Sequence, residues 1–203
     1  LDRLPSKKGE TDDADTLYNN RRQVDFYILL LTTALGMSIV ALAQDLFILF
    51  IGLELASLST YVLVAFQKES KSGSEAGVKY FIVGSVASGV GLYGLSLLYL
   101  WAGSLQFDVL SAAWDAGAPA LALVGLGMVL VGFGFKVSAV PFHFAAPDAY
   151  AGASSTVAGL LATASKAMGM LGLIRLLVVI AIPDGAEGSA VWLITLAVLS
   201  AIT

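Results

Sequence analysis

Five ionisable side chains lie inside long apolar stretches of this 203-residue sequence: Glu54, Lys79, Lys136, Lys166 and Arg175. An ionised side chain at the centre of a bilayer costs about 2.5–3.5 kcal/mol on insertion scales. Glu54, Lys136 and Lys166 fall near the middle of their stretches. Lys79 and Arg175 lie closer to the ends, from where a long side chain can reach the membrane interface. The three central residues are therefore the strongest candidates for a buried chain of charges.

These residue types suit the movement of protons. A lysine holds its proton less tightly out of water and more tightly beside a carboxylate, whereas an arginine stays protonated. One acid and two lysines on three different helices predict a lateral chain of exchangeable sites, in which nearby hydroxyl groups order bridging water. Ordinary hydrogen bonding between helices is the alternative role of each hydroxyl. The hydroxyls concerned belong to Ser57, Ser59, Ser138, Thr163 and Ser165.

The composition places these charges in a membrane protein. Hydrophobic residues make up 58% of the chain and charged residues 13%, and the mean hydropathy is +0.85. Soluble domains carry about 25% charged residues, so a soluble enzyme is excluded, as is a disordered chain. With no cysteine and one histidine, disulfides, cysteine-held zinc or iron–sulfur clusters and bis-histidine haem are excluded. A net charge of −4 gives no basic footprint for nucleic acid.

Apolar runs of about 20 residues predict an all-α, polytopic transmembrane helix bundle. A polar loop over residues 1–23 precedes one five-helix unit over residues 24–182. Residues 183–203 are predicted to form a loop and the start of a further span that is cut short, so we expect an internal piece of a longer protein. The five predicted spans are 24–43, 46–66, 76–101, 120–150 and 156–182.

Basic residues in the predicted loops set the orientation, because cytoplasmic loops carry an excess of lysine and arginine. The loops at 44–45, 102–119 and 183–188 carry neither residue type and hold acids instead. Residues 1–23 are therefore predicted to be cytoplasmic. The basic residues on that side are Arg3, Lys7, Lys8, Arg21, Arg22, Lys68 and Lys71.

The fourth span, 120–150, is longer than a straight crossing needs and contains Pro141 and Pro147. Proline removes a backbone donor and clashes with the preceding turn, so a helix broken inside the membrane is predicted. Such a break is tolerated where it is buried in protein or lines a wet cavity. His143 lies between the prolines and is a further candidate for the proton relay, because histidine ordinarily titrates near neutral pH. Binding of backbone groups freed by the break is its alternative role.

Small residues recur through the third span, at Gly84, Ser85, Ser88, Gly89, Gly91 and Gly94. They do not follow a strand, as a phosphate-binding loop requires. At helical spacing they predict close packing of membrane helices.

Two segments carry a resemblance to a known family: Leu53–Leu63 (LELASLSTYVL) and Gly134–Phe144 (GFKVSAVPFHF), the latter continuing to Gly152. Together with Lys79, Lys166 and Arg175 they resemble the N-subunit family of proton-pumping NADH–quinone oxidoreductase (respiratory complex I). Its relatives are the L and M subunits and the Mrp-type sodium/proton antiporter subunits. The L and M types usually carry tryptophan where this chain has Leu53. Departures from the family pattern, in the loop after the break, are Ala145, Ala151 and Ser154.

The resemblance implies that the chain corresponds to the first of two inverted five-helix repeats, thought to form a half-channel open to the cytoplasm. It implies that Glu54 is the fifth-helix glutamate and Lys136 the lysine of the broken seventh helix. Lys166 matches the eighth-helix lysine that passes the proton onward. Lys79 matches a lysine of the sixth helix, which makes it a further candidate for the proton relay.

The resemblance also implies a proton-translocating, non-redox subunit in a prokaryotic plasma membrane. NADH (or a related donor), flavin, iron–sulfur clusters and quinone would then belong to partner subunits, with no cofactor or metal on this chain. Its expected partners are other membrane subunits, the lipid bilayer and, indirectly, the quinone pool. Two alternatives remain: an Mrp-type antiporter subunit that exchanges sodium for protons, and a scaffold in which the buried charges merely pair.

Overall fold

The computed structural model describes residues 11–67, 69–140 and 142–181, and every regular element in those ranges is helical. The stretches Arg22–Leu42, Leu46–Val64, Lys71–Ala102, Ala120–Gly152 and Ser155–Val178 are long and apolar enough to cross a membrane. The predicted all-α, polytopic bundle is therefore confirmed. The helices are α1 (Thr11–Leu42), α2 (Leu46–Val64), α3 (Lys71–Ala102), α4 (Phe107–Asp115), α5 (Ala120–Val137), α6 (Ala145–Gly152), α7 (Ser155–Leu160) and α8 (Lys166–Ala181).

Two predicted boundaries need correction. Residues 11–23, predicted as part of a polar loop, form the first turns of α1, because no proline or glycine interrupts this run. The third span begins at Lys71 because the Ser70 hydroxyl accepts a hydrogen bond from the Gly73 amide, at 3.2 Å, and caps the helix. The predicted loop and further span at 183–203 lie outside the described residues, as do residues 1–10.

The predicted loop at 102–119 contains a short helix, α4. Its Phe107, Leu110 and Trp114 are buried and lie on one helical face. The Trp114 ring packs edge-on against Trp101 at the end of α3, with 5.5 Å between centroids. The spacing of these apolar residues is a signal that a search for 20-residue runs misses.

The fourth span is discontinuous, as predicted, but the break does not fall at Pro147. Helix α5 ends at Val137, and Ser138 has a left-handed backbone (φ 59°) that turns the chain. A 3₁₀ turn at 142–144 then leads into α6. Pro147 lies in the first turn of α6, where a missing backbone donor costs little because the amide would have no helical partner. Pro141 lies outside the described residues.

Helices α3 and α5 make a close contact through glycines, as the small-residue pattern predicted. A Cβ atom at Gly94 would lie 2.6 Å from the Gly125 carbonyl oxygen and 2.7 Å from the Val129 amide nitrogen. Backbone atoms cannot move aside as a flexible side chain can. The two helices therefore approach one another at a distance that only glycine permits here.

Replacement of Gly94 by alanine is expected to destabilise the bundle by about 1–3 kcal/mol, as overpacking of a tight interface does. Thermal unfolding of the purified native protein in detergent measures this as a lower midpoint. Gly89→Ala on the same helix is the matched control, because a Cβ there meets no atom within 4 Å. Equal midpoints for the two variants would contradict the packing argument.

Candidate functional site

The carboxylate of Glu54, on α2, faces α3. Glu54 is half-buried, and the Ser88 hydroxyl donates a hydrogen bond of 2.6 Å to its Oε1. Ser88 belongs to the run of small residues that was predicted to serve packing. Its hydroxyl thus adds a polar contact between α2 and α3.

The ammonium of Lys136 lies in the protein interior, and Lys136 is only 5% exposed. Its Nζ donates to the Ser57 hydroxyl at 2.9 Å, and Ser57 in turn donates to the Leu53 carbonyl at 2.6 Å. Ser57 follows Glu54 by three residues, so both lie on one face of α2. Glu54 belongs to this face, and Lys136 binds to the same face through Ser57. The two side chains are therefore neighbours, and their charges interact electrostatically.

Two local features place Lys136 there. It lies in the last turn of α5, where the negative end of the helix dipole favours a cation. Its aliphatic stem passes over Gly169 of α8, where an added Cβ would lie 3.0 Å from the lysine Cγ. The helix break and a glycine on α8 therefore make room for a buried lysine.

Lys166 binds directly to the broken helix. Its Nζ donates to the Ser138 hydroxyl at 2.7 Å and to the Val137 carbonyl at 3.3 Å. The carbonyl at the end of α5 has no helical partner because the helix stops there. Lys166 itself follows a π turn over 161–165, a distortion often found at functional sites.

A small cleft with room for about one water molecule lies between the two lysines. Both lysines line it, together with the predicted hydroxyls of Ser138 and Ser165 and the rings of Tyr80 and Tyr150. The Lys166 ammonium also lies 5.9 Å from the centre of the Tyr150 ring, within range of a cation–π contact. The cleft offers polar surface where water could bridge the lysines.

Glu54, Lys136 and Lys166 are thus brought together, and two other predicted relay residues are not. Lys79 is 51% exposed in its side chain and pairs with Glu75 at 2.7 Å and Asp148 at 3.2 Å. It joins α3 to α6 on the surface of the bundle. The side chain of His143 is exposed on the 3₁₀ turn. In this arrangement neither residue is part of the chain of buried charges.

Arg175, expected to reach the interface, instead closes the end of α1. Its guanidinium donates to the carbonyls of Val40 (2.9 Å), Ala41 (2.8 Å) and Ala43. These carbonyls lie at or just beyond the last turn of α1, where helical partners run out. The role of Arg175 in the structure is to fix α8 against the end of α1.

Two residues beside the site were not predicted from the sequence. Ser88 was grouped with the packing residues, since nothing in the sequence says which face of α3 meets Glu54. Tyr61 follows Glu54 by seven residues, so helical spacing could have placed it on the same face. Within the described ranges, no three His, Cys, Asp or Glu side chains cluster closely enough to hold a metal ion.

Comparisons with known proteins show which family the sequence matches. Residues 43–203 match the family described as "NADH:quinone oxidoreductase/Mrp antiporter, TM". NADH-quinone oxidoreductase subunit N of Desulfitobacterium hafniense is 44% identical over 179 residues, which are 88% of this chain and 36% of that protein. The chain thus spans little more than a third of this relative's length.

Two solved structures are similar in fold. A chain of respiratory complex I from Thermus thermophilus superposes with a TM-score of 0.65 at 38% identity, over 74% of this chain and 34% of that one. A chain of the Mrp complex from Dietzia sp. gives a TM-score of 0.67 at 25% identity, over 75% of this chain and 29% of that one.

Proposed function

Because the chain belongs to the NADH:quinone oxidoreductase/Mrp antiporter family of membrane proteins, we propose that it is part of a proton-translocating, non-redox subunit of a complex I-type quinone oxidoreductase. The match to subunit N over most of this chain supports the subunit type. Quinone reduction elsewhere in the complex would supply the energy for proton movement through this chain.

One observation carries the proposal: Glu54, Lys136 and Lys166 lie in one line across the bundle, linked in part by hydrogen bonds and in part by the cleft between the two lysines. It runs from Glu54 along α2 to Ser57, from Ser57 to Lys136, and across the cleft to Lys166 at the helix break. A purely structural ion pair needs only the first two charges. The second lysine, a distorted helix and a polar cleft extend the line sideways, as a relay requires.

The relay works through the charge of its neighbours. A proton on Lys136 is stabilised by the carboxylate of Glu54, and that support is lost when Glu54 moves away or takes up a proton. Lys136 then passes its proton across the cleft toward Lys166. Moving one charge through the membrane potential costs about 2.3 kcal/mol per 100 mV, which is within reach of the change in attraction between two buried charges.

The remaining parts of the proposal concern the assembly. NADH or a related donor, flavin, iron–sulfur clusters and quinone are assigned to partner subunits, and no cofactor is assigned to this chain, which has no cysteine to hold a cluster. The partners are other membrane subunits of the complex. The location is a prokaryotic plasma membrane, with residues 1–23 on the cytoplasmic side, as the bacterial relatives and the loop charges support.

The second candidate, a subunit of an Mrp-type sodium/proton antiporter, is favoured by the similarity to the Dietzia Mrp complex. Both candidates use the same buried charges, so the driving force distinguishes them. A redox-driven subunit moves protons when an electron donor and quinone are supplied. An antiporter moves them when a sodium gradient is imposed without any donor.

Inside-out vesicles from the native membrane test the proposal, with a fluorescent dye that reports internal pH. We expect acidification on addition of electron donor and quinone, lost when the gene is deleted, and no change on a sodium pulse alone. Mass spectrometry of the gently purified protein should find iron–sulfur and quinone-site subunits with it. Sodium-driven proton movement, with only small antiporter subunits copurifying, would replace the first candidate by the second.

A further inference from the structure

We infer that the Tyr61 hydroxyl links the Glu54 end of the relay to the Lys136 end and is a positioning residue for both charges. This inference rests on the proposed proton translocation and adds a residue to it.

The Tyr61 side chain is buried, at 4% exposure, and its hydroxyl forms no hydrogen bond with any residue that the structure describes. Buried polar groups in proteins nearly always have a partner. The orphaned hydroxyl of Tyr61 is therefore placed for a contact that forms in another state of the relay or through a bridging water.

The surroundings of the hydroxyl indicate what that contact is. Glu54, Ser57 and Tyr61 follow one another at intervals of three and four residues, so they form one stripe on α2. The hydroxyl lies within electrostatic range of the Glu54 carboxylate and close to the hydroxyls of Ser57 and Ser88. Ser88 donates to Glu54, and Ser57 accepts from Lys136. Tyr61 thus lies between the two hydrogen-bonded pairs.

Helix α3 leaves space for the Tyr61 hydroxyl oxygen. Gly84 on α3 faces the Tyr61 hydroxyl so closely that an added Cβ would overlap it. Gly84 precedes Ser88 by one helical turn, so both lie on the same face of α3. A methyl group at position 84 would displace the hydroxyl from the gap between the two pairs.

The ring of Tyr61 is held independently of its hydroxyl. It packs edge-on against Tyr80, with centroids 4.9 Å apart, and against Phe81, with centroids 5.8 Å apart. Phenylalanine at position 61 keeps these ring contacts and removes only the oxygen. The variant therefore separates the hydroxyl's role from the packing of the helix pair.

The experiment uses the native protein in its assembled complex, reconstituted in liposomes, with proton translocation counted per electron pair and per assembled complex. We expect Tyr61→Phe to lower translocation about tenfold, because the loss of one hydrogen bond from the network changes an equilibrium by about that factor. Tyr93→Phe is the matched control on α3, since Tyr93 is exposed on the bundle surface. Gly84→Ala should act in the same direction by displacing the hydroxyl.

A double variant separates positioning from general damage. If the hydroxyl acts through the charged pair, adding Tyr61→Phe to Glu54→Gln causes no further loss of translocation. If the two substitutions cause independent structural damage, the fold-losses of the single variants multiply in the double variant.

Normal translocation by Tyr61→Phe, or losses that multiply in the double variant with Glu54→Gln, would overturn the inference. Its failure is distinct from failure of the proposed function. If only the inference about Tyr61 fails, Lys136→Met still strongly lowers translocation. If the proposed function fails, Lys136→Met also translocates normally.

Discussion

Replacement of Lys136 by methionine is expected to lower proton translocation about 100-fold while the complex still assembles, since a positioned group that transfers a proton typically contributes two or more orders of magnitude. The buried ammonium donates to Ser57 and borders the cleft, so it is placed to release a proton toward Lys166. Methionine has an unbranched, adaptable side chain and fills the space over Gly169. The fold therefore keeps its packing while the relay loses its central site.

The measurement compares initial rates of donor-driven acidification in vesicles, normalised to the amount of assembled complex. Lys71→Ala is the control: it removes a lysine that is exposed at the start of α3. Lys136→Ala is expected to behave like the methionine variant, because Ser57 keeps its bond to the Leu53 carbonyl. Assembled Lys136→Met complex that pumps at the normal ratio would remove Lys136 from the mechanism.

The sequence was sufficient to predict the helical bundle, the discontinuous fourth span and the three central charges, because each carries a large energetic signal. An apolar run of about 20 residues has the length that a helix needs to cross the hydrocarbon core of a bilayer. A charge in the middle of such a run is expensive, so Glu54, Lys136 and Lys166 stood out without any knowledge of their neighbours. Their assembly into one line also required the helices to be arranged correctly.

Contacts between distant segments were beyond the reach of these signals. Lys79 resembled the buried lysines in sequence, yet its partner Asp148 lies 69 positions away, on α6. Ser88 is one of several small residues on α3, and only the rotation of that helix decides which of them meets Glu54. The break itself depends on the left-handed backbone of Ser138, for which serine is not the expected residue.

Exchange of the two charges, Glu54→Lys combined with Lys136→Glu, is expected to restore assembly relative to Glu54→Lys alone and yet to leave translocation about 100-fold low. The attraction between the two positions is the same in either order, so the bundle regains a compensated pair. A scaffold in which the charges only pair predicts full activity for this double variant. The comparison of assembly with translocation therefore separates a relay from a scaffold.

The expected loss follows from the neighbours of the two positions, which are not symmetric. Position 136 borders the cleft that also contains Lys166, whereas position 54 is bound to Ser88 and is not among the residues that line that cleft. A carboxylate at position 136 would attract the Lys166 ammonium across the cleft and hold its proton there. A proton could then enter the second lysine but would not leave it. The attraction within the pair does not depend on which position carries the acid, but the environment of the cleft does. Full translocation by the exchanged complex would therefore show that pairing alone is the role of these residues.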